Sequence, residues 1–172
     1  MTPHNDISDE GRIPAFSEAA FEAFHHESFQ AVWTMARRLC GDESEAQDVA
    51  QVAYLAVYRY WRDGKLREPP RHLLFRAAHR AAVDVLRARR RRERLFAALP
   101  KDTGTGWVEG ELREALRRLR PEDAALVMLQ AAGGLSYDEL AAIQRQSVGA
   151  IRSRLFRART QLRRSLYGDR RG

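Results

Sequence analysis

Arginine, whose planar guanidinium binds phosphate and guanine through paired hydrogen bonds, is concentrated in two stretches of this chain. The first is RARRRRER, from Arg87 to Arg94, in which six arginines repel one another unless an anion neutralises them. The second lies within residues 135–164. Both patterns favour binding to nucleic acid. A solvated basic helix is the alternative in each case, and for the second stretch taken alone it is an equally good interpretation.

The second stretch has the pattern of two helices joined by a short turn. Ser136 and Glu139 have the spacing of a capping box, which opens a short helix. On the longer helix that follows, five apolar residues share one side: Val148, Ile151, Leu155, Ala158 and Leu162. Arginines occupy most of the remaining surface: Arg152, Arg154, Arg157, Arg159, Arg163 and Arg164. This arrangement predicts a helix-turn-helix, which places its second helix in the major groove of DNA.

The overall composition favours a compact basic protein with an anionic partner. The net charge is +7 and the pI is near 10.3, which favours nucleic acid or an anionic membrane surface. With 44% hydrophobic residues the chain can form a core. No apolar run approaches the roughly 20 residues that span a bilayer, and the first residues are too acidic for a secretory signal. We therefore expect a cytoplasmic protein without membrane insertion.

No motif in the chain indicates catalysis. The sequence has no glycine-rich phosphate loop, no HExxH and no nucleophile elbow, and its histidines lack partners at metal-ligand spacing. The single cysteine, Cys40, lies among small and apolar residues, which is more typical of a core position than of a reactive thiol. We therefore expect no enzymatic activity, no cofactor and no metal site.

The elements that must position the arginines are all helical. Apolar residues recur at three- and four-residue spacing, no strand-like alternation occurs, and Pro100, Gly104 and Gly106 interrupt the pattern. We predict an all-α fold of two small helical domains joined by a flexible linker, the second a helix-turn-helix four-helix domain. The predicted order is a flexible acidic lead-in over 1–15, a first domain over 16–95, a linker over 96–109, a second domain over 110–167 and a tail over 168–172.

Both halves of the chain resemble one family. EAQDVAQVAYLAVYRYW (Glu45 to Trp61) resembles an acidic helix of the extracytoplasmic-function (ECF) group of bacterial RNA polymerase sigma factors. LLFRAAHRAAVDVLRARRRR (Leu73 to Arg92) resembles the helix that follows it in that family, and residues 135–164 resemble the family's closing helix-turn-helix. The resemblance covers about residues 21–166, with both domains and the linker in the same order.

The resemblance implies three groups of binding residues. Residues for core polymerase, through the β′ clamp helices, would be Glu45, Asp48, Gln51, Leu55 and Arg59. Residues for the downstream (minus ten) promoter element would be Arg76, His79, Arg80, Arg87 and Arg90. Residues for the upstream (minus thirty-five) element would be Ser147, Gly149, Ala150, Arg152, Ser153, Arg154 and Arg157. The β flap of polymerase and an anti-sigma factor are further candidate partners.

The function implied by the resemblance is that of an ECF sigma factor. Such a protein binds core RNA polymerase, directs it to specific promoters and helps melt the downstream element, while polymerase supplies the catalysis. The alternatives are a helix-turn-helix regulator that never engages polymerase and an adaptor that binds only proteins. One departure from the family concerns Arg145, which stands where glycine is usual, at a predicted cost of about 1 kcal/mol.

Overall fold

The computed structural model describes residues 13–95 and 107–168, except for the side chains of 107–109. Within those ranges the chain forms seven α-helices and no strand, which confirms the predicted all-α class. The helices are α1 (Glu18–Cys40), α2 (Glu43–Arg62), α3 (Pro70–Leu95), α4 (Trp107–Arg118), α5 (Pro121–Gly133), α6 (Tyr137–Gln144) and α7 (Val148–Tyr167).

Local sequence signals account for the junction between α1 and α2. Gly41 ends α1 with φ of 72°, a left-handed conformation that glycine adopts without strain, and its N–H donates to the Arg37 carbonyl. Asp42 then caps α2, because its carboxylate accepts from the Glu45 N–H at 2.9 Å. The two helices are therefore joined by a two-residue turn that forces them to run antiparallel.

The start of α4 differs from its prediction. The helix begins at Trp107, whereas glycine at position 110 and the preceding break predict a start at Gly110. Glycine within a helix costs about 1 kcal/mol relative to alanine, which makes it a poor interior residue but does not exclude it. The predicted linker therefore overlaps the first turn of α4, and its remaining residues, 96–106, lie outside the described residues.

The helix-turn-helix is formed by α6 and α7. The predicted capping box is present: Ser136 Oγ accepts from the Glu139 N–H at 3.2 Å, and the Glu139 carboxylate accepts from the Ser136 N–H at 2.7 Å. Ser147 caps α7 by accepting from the Ala150 N–H at 3.2 Å. Between the helices, Arg145 has φ of 53°. The predicted left-handed turn residue is thus observed, with arginine in a conformation that glycine adopts more readily.

Helix α5 lies at the centre of the molecule. Six consecutive residues, from Ala124 to Leu129, are buried, and six residues cover more than one full turn. The helix packs against α4 and α7 of its own half and against α1 and α3 of the other half. A helix that is apolar on all sides is a core helix, and α5 is the core helix of both halves at once. The sequence predicts two joined domains but not this packing.

The end of the lead-in contacts the first half. Trp61 Nε1 donates to the Pro14 carbonyl at 2.7 Å, and the Phe16 ring meets the edges of the Tyr58 and Trp61 rings. Residues 13–16 are therefore anchored on α2 by one hydrogen bond and two aromatic contacts. The other lead-in residues, 1–12, lie outside the described residues.

Candidate protein and nucleic-acid interfaces

One side of α2 presents a mixed stripe to solvent. Asp48, Gln51 and Arg59 are exposed, and between them Val52 and Leu55 are 53% and 44% exposed. The spacing of these five residues places them on one face of the helix, which we call the α2 stripe. Exposed aliphatic side chains bordered by a carboxylate, an amide and a guanidinium are typical of a protein interface rather than of a solvated surface. Val52 is the member that the sequence analysis does not include, although its position four residues after Asp48 could have identified it.

Glu45 does not belong to this stripe. Its carboxylate pairs with Arg89 of α3 and also with Arg92, at 3.1 Å, and its side chain is 23% exposed. It therefore fastens the first turn of α2 to the C-terminal half of α3. Because two arginines already bind both of its oxygens, Glu45 stabilises the first half and is not presented to a partner.

An aromatic groove of about 660 Å³ lies next to the α2 stripe, between α1 and α2. Its walls include Phe21, His25, Phe29, Tyr54, Leu55 and Tyr58. Behind the wall residue Tyr54, the buried Ser28 donates to the Phe24 carbonyl at 2.6 Å and therefore accepts from the Tyr54 hydroxyl at 2.9 Å. Burial raises the pKa of Tyr54, so the phenol stays neutral and keeps this bond. The groove has a preformed apolar floor, and Leu55 connects it to the α2 stripe.

Four of the five residues predicted for the downstream element lie on one face of α3. Arg76, His79, Arg87 and Arg90 recur at three, eight and three residues, a helical spacing that Val83 completes. We call this set, with Val83, the interdomain face of α3. Arg80 points elsewhere and is exposed. The structure thus brings four of the predicted residues together and separates the fifth.

The interdomain face is covered by the second half of the chain. Arg76 Nε donates to the Ile143 carbonyl at 2.7 Å, and its outer nitrogens bind Glu68. Arg87 Nε donates to Glu122 at 3.1 Å, and Arg90 Nη2 donates to the carbonyls of Arg117, at 2.7 Å, and Leu119. The guanidinium groups of Arg76, Arg87 and Arg90, which were expected on DNA, are therefore bonded within the protein.

His79 lies partly buried within that face. Its Nε2 lies 3.3 Å from the Glu122 carbonyl oxygen. Burial lowers the pKa of His79, and the Arg154 guanidinium acts in the same direction, whereas the Glu122 carbonyl opposes it. At neutral pH the ring is therefore uncharged, and Nε2–H donates to that carbonyl.

Helix α7 presents most of its predicted DNA-binding residues to solvent. Ser147, Gly149, Ala150, Arg152, Ser153 and Arg157 are exposed, whereas Ile151, Leu155 and Ala158 are buried. The hydrophobic stripe thus packs α7 against the other helices of the second half. The opposite side of its N-terminal half is exposed to solvent. Six of the seven predicted residues share this surface, as a helix that enters the major groove requires.

Arg154 is the exception on α7. Its Nε and Nη2 donate to Asp123 of α5 at 3.2 and 2.9 Å, and its Nη1 donates to Gln146 at 3.0 Å. The Arg154 side chain is 20% exposed, and its hydrogen bonds connect α7 to α5 and to the turn that precedes α7. Its geometry favours a structural role over a DNA contact.

Phe156 extends the exposed surface of α7. It is 72% exposed and lies four residues after Arg152, on the same side of the helix. An exposed aromatic ring beside guanidinium groups can contact apolar base atoms such as the thymine methyl group. Phe156 is not among the predicted DNA-binding residues, which are charged or small. Its position outside the hydrophobic stripe could have identified it from the sequence.

Cys40 lies at the end of α1 and is buried, as predicted. Burial raises the pKa of its thiol to about 12, and the nearby Glu45 carboxylate adds to the shift. Within residues 13–95 and 107–168 we find no cluster of three or more His, Cys, Asp or Glu side chains that could hold a metal ion. Over the same ranges, no helix has the length and apolar character needed to span a bilayer.

Two family models match the chain, in the order in which the two halves occur. The model described as "Sigma-70 region 2" matches residues 26–92, which include α2 and most of α1 and α3. The model described as "Sigma-70, region 4" matches residues 109–162, which include α5, α6 and most of α4 and α7. The α2 stripe and the interdomain face fall in the first match, and the exposed surface of α7 falls in the second.

Three curated proteins illustrate the similarity in sequence. The ECF RNA polymerase sigma factor SigE of Mycolicibacterium smegmatis is 30% identical over 90% of this chain, and the chain spans 63% of that relative. The sigma-H factor of Pseudomonas aeruginosa is 26% identical, with 96% of both chains covered. The sigma-E factor of Streptomyces coelicolor is 28% identical, with 85% of both covered.

Two solved structures share the fold. One is the sigma factor RpoE from Bartonella quintana, in complex with the anti-sigma factor NepR; it has a TM-score of 0.65, is 22% identical, and the match covers 86% of this chain and 96% of that one. The other is CnrH in complex with the cytosolic domain of CnrY, with a TM-score of 0.70, 27% identity, and coverage of 89% and 91%. Both similarities extend across both halves of the chain.

Proposed function

Because this chain belongs to the sigma-70 family and to its extracytoplasmic-function group, we propose that it binds core RNA polymerase, directs it to specific promoters and helps melt the downstream element. Polymerase would supply the catalysis, and the chain would act in the cytoplasm, where polymerase and DNA are present. The observation that carries the proposal is the occurrence of region 2 and region 4 on one chain, in that order and separated by residues 93–108.

The α2 stripe is the proposed docking surface for polymerase. Val52 and Leu55 would bury their exposed apolar atoms against the partner, while Asp48 and Arg59 fix the orientation by charge. The aromatic groove beside Leu55 gives this surface depth. Glu45 is left out of the proposed contact set because Arg89 and Arg92 bind its carboxylate.

Helix α7 is the proposed reader of the upstream element. Its exposed half carries Arg152, Arg157 and Phe156 around the N-terminus that Ser147 caps. Backbone N–H groups at a helix N-terminus bind phosphate, and guanidinium groups bind either phosphate or the guanine edge. Two features of the chain, a basic surface here and an apolar stripe on α2, thus support separate DNA and protein partners.

An inhibitory protein is a further proposed partner. Both similar structures were solved with a second protein bound, and one of those proteins is described as an anti-sigma factor. The aromatic groove between α1 and α2 is an apolar concave surface available for such a protein. A regulator that never engages polymerase is not favoured, since it would not need region 2.

The direct test is run-off transcription with purified core polymerase on a genomic fragment library. We expect the wild-type chain to start transcription at a restricted set of promoters. Leu55→Glu should lower core binding at least about tenfold, because it places a carboxylate in an apolar contact. Tyr60→Glu is the matched control: Tyr60 is 52% exposed on the same helix, about 140° away from Leu55.

Two outcomes would contradict the proposal. If the wild-type chain neither binds core polymerase nor starts transcription on any fragment, it does not act as a sigma factor. If Leu55→Glu binds core polymerase as well as Tyr60→Glu does, polymerase docks on a surface other than the α2 stripe.

A further inference from the structure

The aromatic ring of Tyr137, the first residue of α6, lies against the exposed basic side of α7. The guanidinium carbon of Arg152 lies over this ring, 5.4 Å from its centroid. At that distance a guanidinium is attracted to the negative face of an aromatic ring. Tyr137 is partly buried and packs against the hydrophobic core, so its ring is a fixed surface. The orientation of Arg152 is thus restricted although its side chain is exposed.

A second arginine helps to fix the position of the ring. Arg159 Nη1 donates to the Tyr137 hydroxyl in a long hydrogen bond of 3.5 Å, and Arg159 Nη2 donates to the side-chain oxygen of Gln130 on α5. Arg152 and Arg159 are seven residues apart and therefore lie on the same side of α7. The ring of Tyr137 is thus connected to α7 at both its face and its hydroxyl, and through Arg159 to α5.

Stacking on a ring leaves the hydrogen-bond donors of Arg152 available. The ring covers one face of the guanidinium, whereas the N–H groups lie in its plane and point outward. Arg154, two residues further along α7, instead donates to Asp123 and Gln146. Arg152 lies in the N-terminal half of α7, and the N-terminal residues of a recognition helix are those that contact base edges. Arg152 thus combines available donors with a restricted orientation, and a paired contact with a base edge needs both.

We propose that Tyr137 is a positioning residue for sequence recognition: its ring orients Arg152 so that the guanidinium contacts a base edge of the upstream element. The inference rests on the proposed function and deepens it, because it assigns the orientation of a DNA-reading arginine on α7 to a residue of α6. A phosphate contact would require less, since it depends mainly on charge and carries no sequence information. Tyr137 acts through Arg152 and needs no DNA contact of its own.

Two substitutions at Tyr137 separate the role of the ring from that of its hydroxyl. Tyr137→Phe keeps the ring beneath Arg152 and removes only the acceptor of Arg159. Tyr137→Leu removes the ring, keeps an apolar side chain and leaves the net charge unchanged. Tyr167→Leu is the matched control, because it makes the same change at an exposed position at the C-terminal end of α7. Circular dichroism would verify that each variant is folded.

Proton NMR of the full chain tests the stacking itself. Protons that lie over an aromatic ring are shifted upfield by the ring current. We expect the side-chain proton resonances of Arg152 to move downfield in Tyr137→Leu and to stay near their wild-type positions in Tyr137→Phe. If Tyr137→Leu leaves these resonances unchanged, the two side chains are not stacked in solution and the positioning role is overturned.

The functional test compares two DNA fragments bound by the holoenzyme that the full chain forms with core polymerase. One is a promoter fragment identified by run-off transcription, and the other is the same fragment with its upstream element scrambled. The ratio of the two affinities measures discrimination. We expect Tyr137→Leu to lower this ratio about two- to fivefold, the range that an exposed cation–π contact supports. The salt dependence should not change, because no charge is lost. Tyr137→Phe and Tyr167→Leu should keep the wild-type ratio.

A double-mutant cycle decides whether Tyr137 acts through Arg152. In an Arg152→Ala background, Tyr137→Leu should cause no further loss of discrimination. In an Arg157→Ala background the loss should persist, because Arg157 lies about 140° from Arg152 around α7. An equal loss in both backgrounds would show that Tyr137 only supports the fold. That result, or a Tyr137→Phe variant as impaired as Tyr137→Leu, would overturn the positioning role.

Run-off transcription separates this inference from the proposed function. If the wild-type holoenzyme starts transcription and Tyr137→Leu keeps full discrimination, the positioning role alone is overturned. If the wild-type chain neither binds core polymerase nor starts transcription, the sigma-factor function is overturned, and the probe becomes a duplex that the full chain selects from a random-sequence pool. Tyr137→Leu should then lose discrimination for that duplex, and selection of no duplex would overturn the positioning role as well.

Discussion

Arg145 joins the two helices of the helix-turn-helix with φ of 53°, and it is the only residue other than glycine with positive φ among the residues described. In this conformation the β-carbon of an L-residue crowds its own backbone, at a cost of about 1 kcal/mol. At the turn, the Arg145 N–H donates to the last carbonyls of α6, those of Ala141 and Ala142, and Ser147 caps α7 directly afterwards. Strain at one residue is thus offset by the hydrogen bonds that close one helix and open the next.

Replacing Arg145 by glycine should therefore stabilise the protein. We expect the free energy of unfolding to rise by about 0.5–1 kcal/mol, because glycine adopts positive φ without strain but gains freedom in the unfolded chain. Urea unfolding followed by circular dichroism measures the change. Arg145→Ala is the control: it removes the same guanidinium but keeps the β-carbon, so no comparable gain should appear. A gain as large in the alanine variant would assign the effect to charge instead of strain.

At this scale the sequence predicts which residues cap and turn, since these depend on neighbours within four positions. It does not predict which arginines bind a carboxylate within the protein. Arg154 and Arg152 are two residues apart on one basic helix, yet the first is bound by Asp123, 31 residues earlier in the chain, and the second lies exposed over the Tyr137 ring. Glu45 is likewise bound by α3. A guanidinium donates equally well to a carboxylate or a phosphate, so composition alone cannot separate these roles.

Among the elements, α7 shows most directly how one helix serves two purposes. Ile151, Leu155 and Ala158 fasten it to the second half, while Arg152 and Arg157 remain exposed on the opposite side. The helix is therefore held at a fixed orientation by its apolar stripe, and its basic surface can bind without rearrangement. A rigid helix that presents preordered side chains loses less entropy on binding than a flexible segment does.

Removing the exposed arginines of α7 should change how DNA binding depends on salt. We expect Arg152→Ala and Arg157→Ala each to weaken binding to duplex DNA that contains the upstream element. Each should reduce the slope of log affinity against log salt by about 1 if the lost contact is to phosphate. Arg118→Ala is the control, since Arg118 is exposed on α4 of the same half. Equal losses for all three variants would indicate unspecific attraction and contradict a DNA-binding surface on α7.

The bounds of most helices follow from the sequence, because apolar spacing and caps are local. The role of α5 does not. AALVML, residues 124–129, is apolar on every side, which predicts burial but does not say which helices bury it. Its partners α1 and α3 belong to the other half, and only the folded structure identifies them.

At the scale of the whole molecule, the residues that the structure describes share a continuous hydrophobic core. Leu74 and Phe75 of the first half and Leu126 and Leu129 of the second belong to the same cluster of buried side chains. A core shared by two regions couples their stabilities, because neither region can unfold without exposing apolar surface of the other. The free chain is therefore expected to behave as one cooperative unit despite its two family regions.

This coupling can be tested by hydrogen exchange at increasing urea concentration. Peptides from α2 and from α7 should lose protection at the same midpoint, because both depend on the shared core. Mass spectrometry of the two peptides measures each midpoint in one experiment. A midpoint for α7 well below that for α2 would show that the halves unfold independently and that their contact contributes little to stability.

The central position of α5 also has a consequence for how the protein is made. Helices α1, α2 and α3 are all synthesised before residue 121, so the apolar faces of α1 and α3 that α5 covers exist in the growing chain before their cover does. Newly made chains with uncovered apolar surface are prone to self-association and are substrates for chaperones. The residues of α1 and α5 that contact each other are about eighty or more positions apart in the chain. Docking of α5 is therefore expected to be the last and slowest step in the folding of a newly made chain.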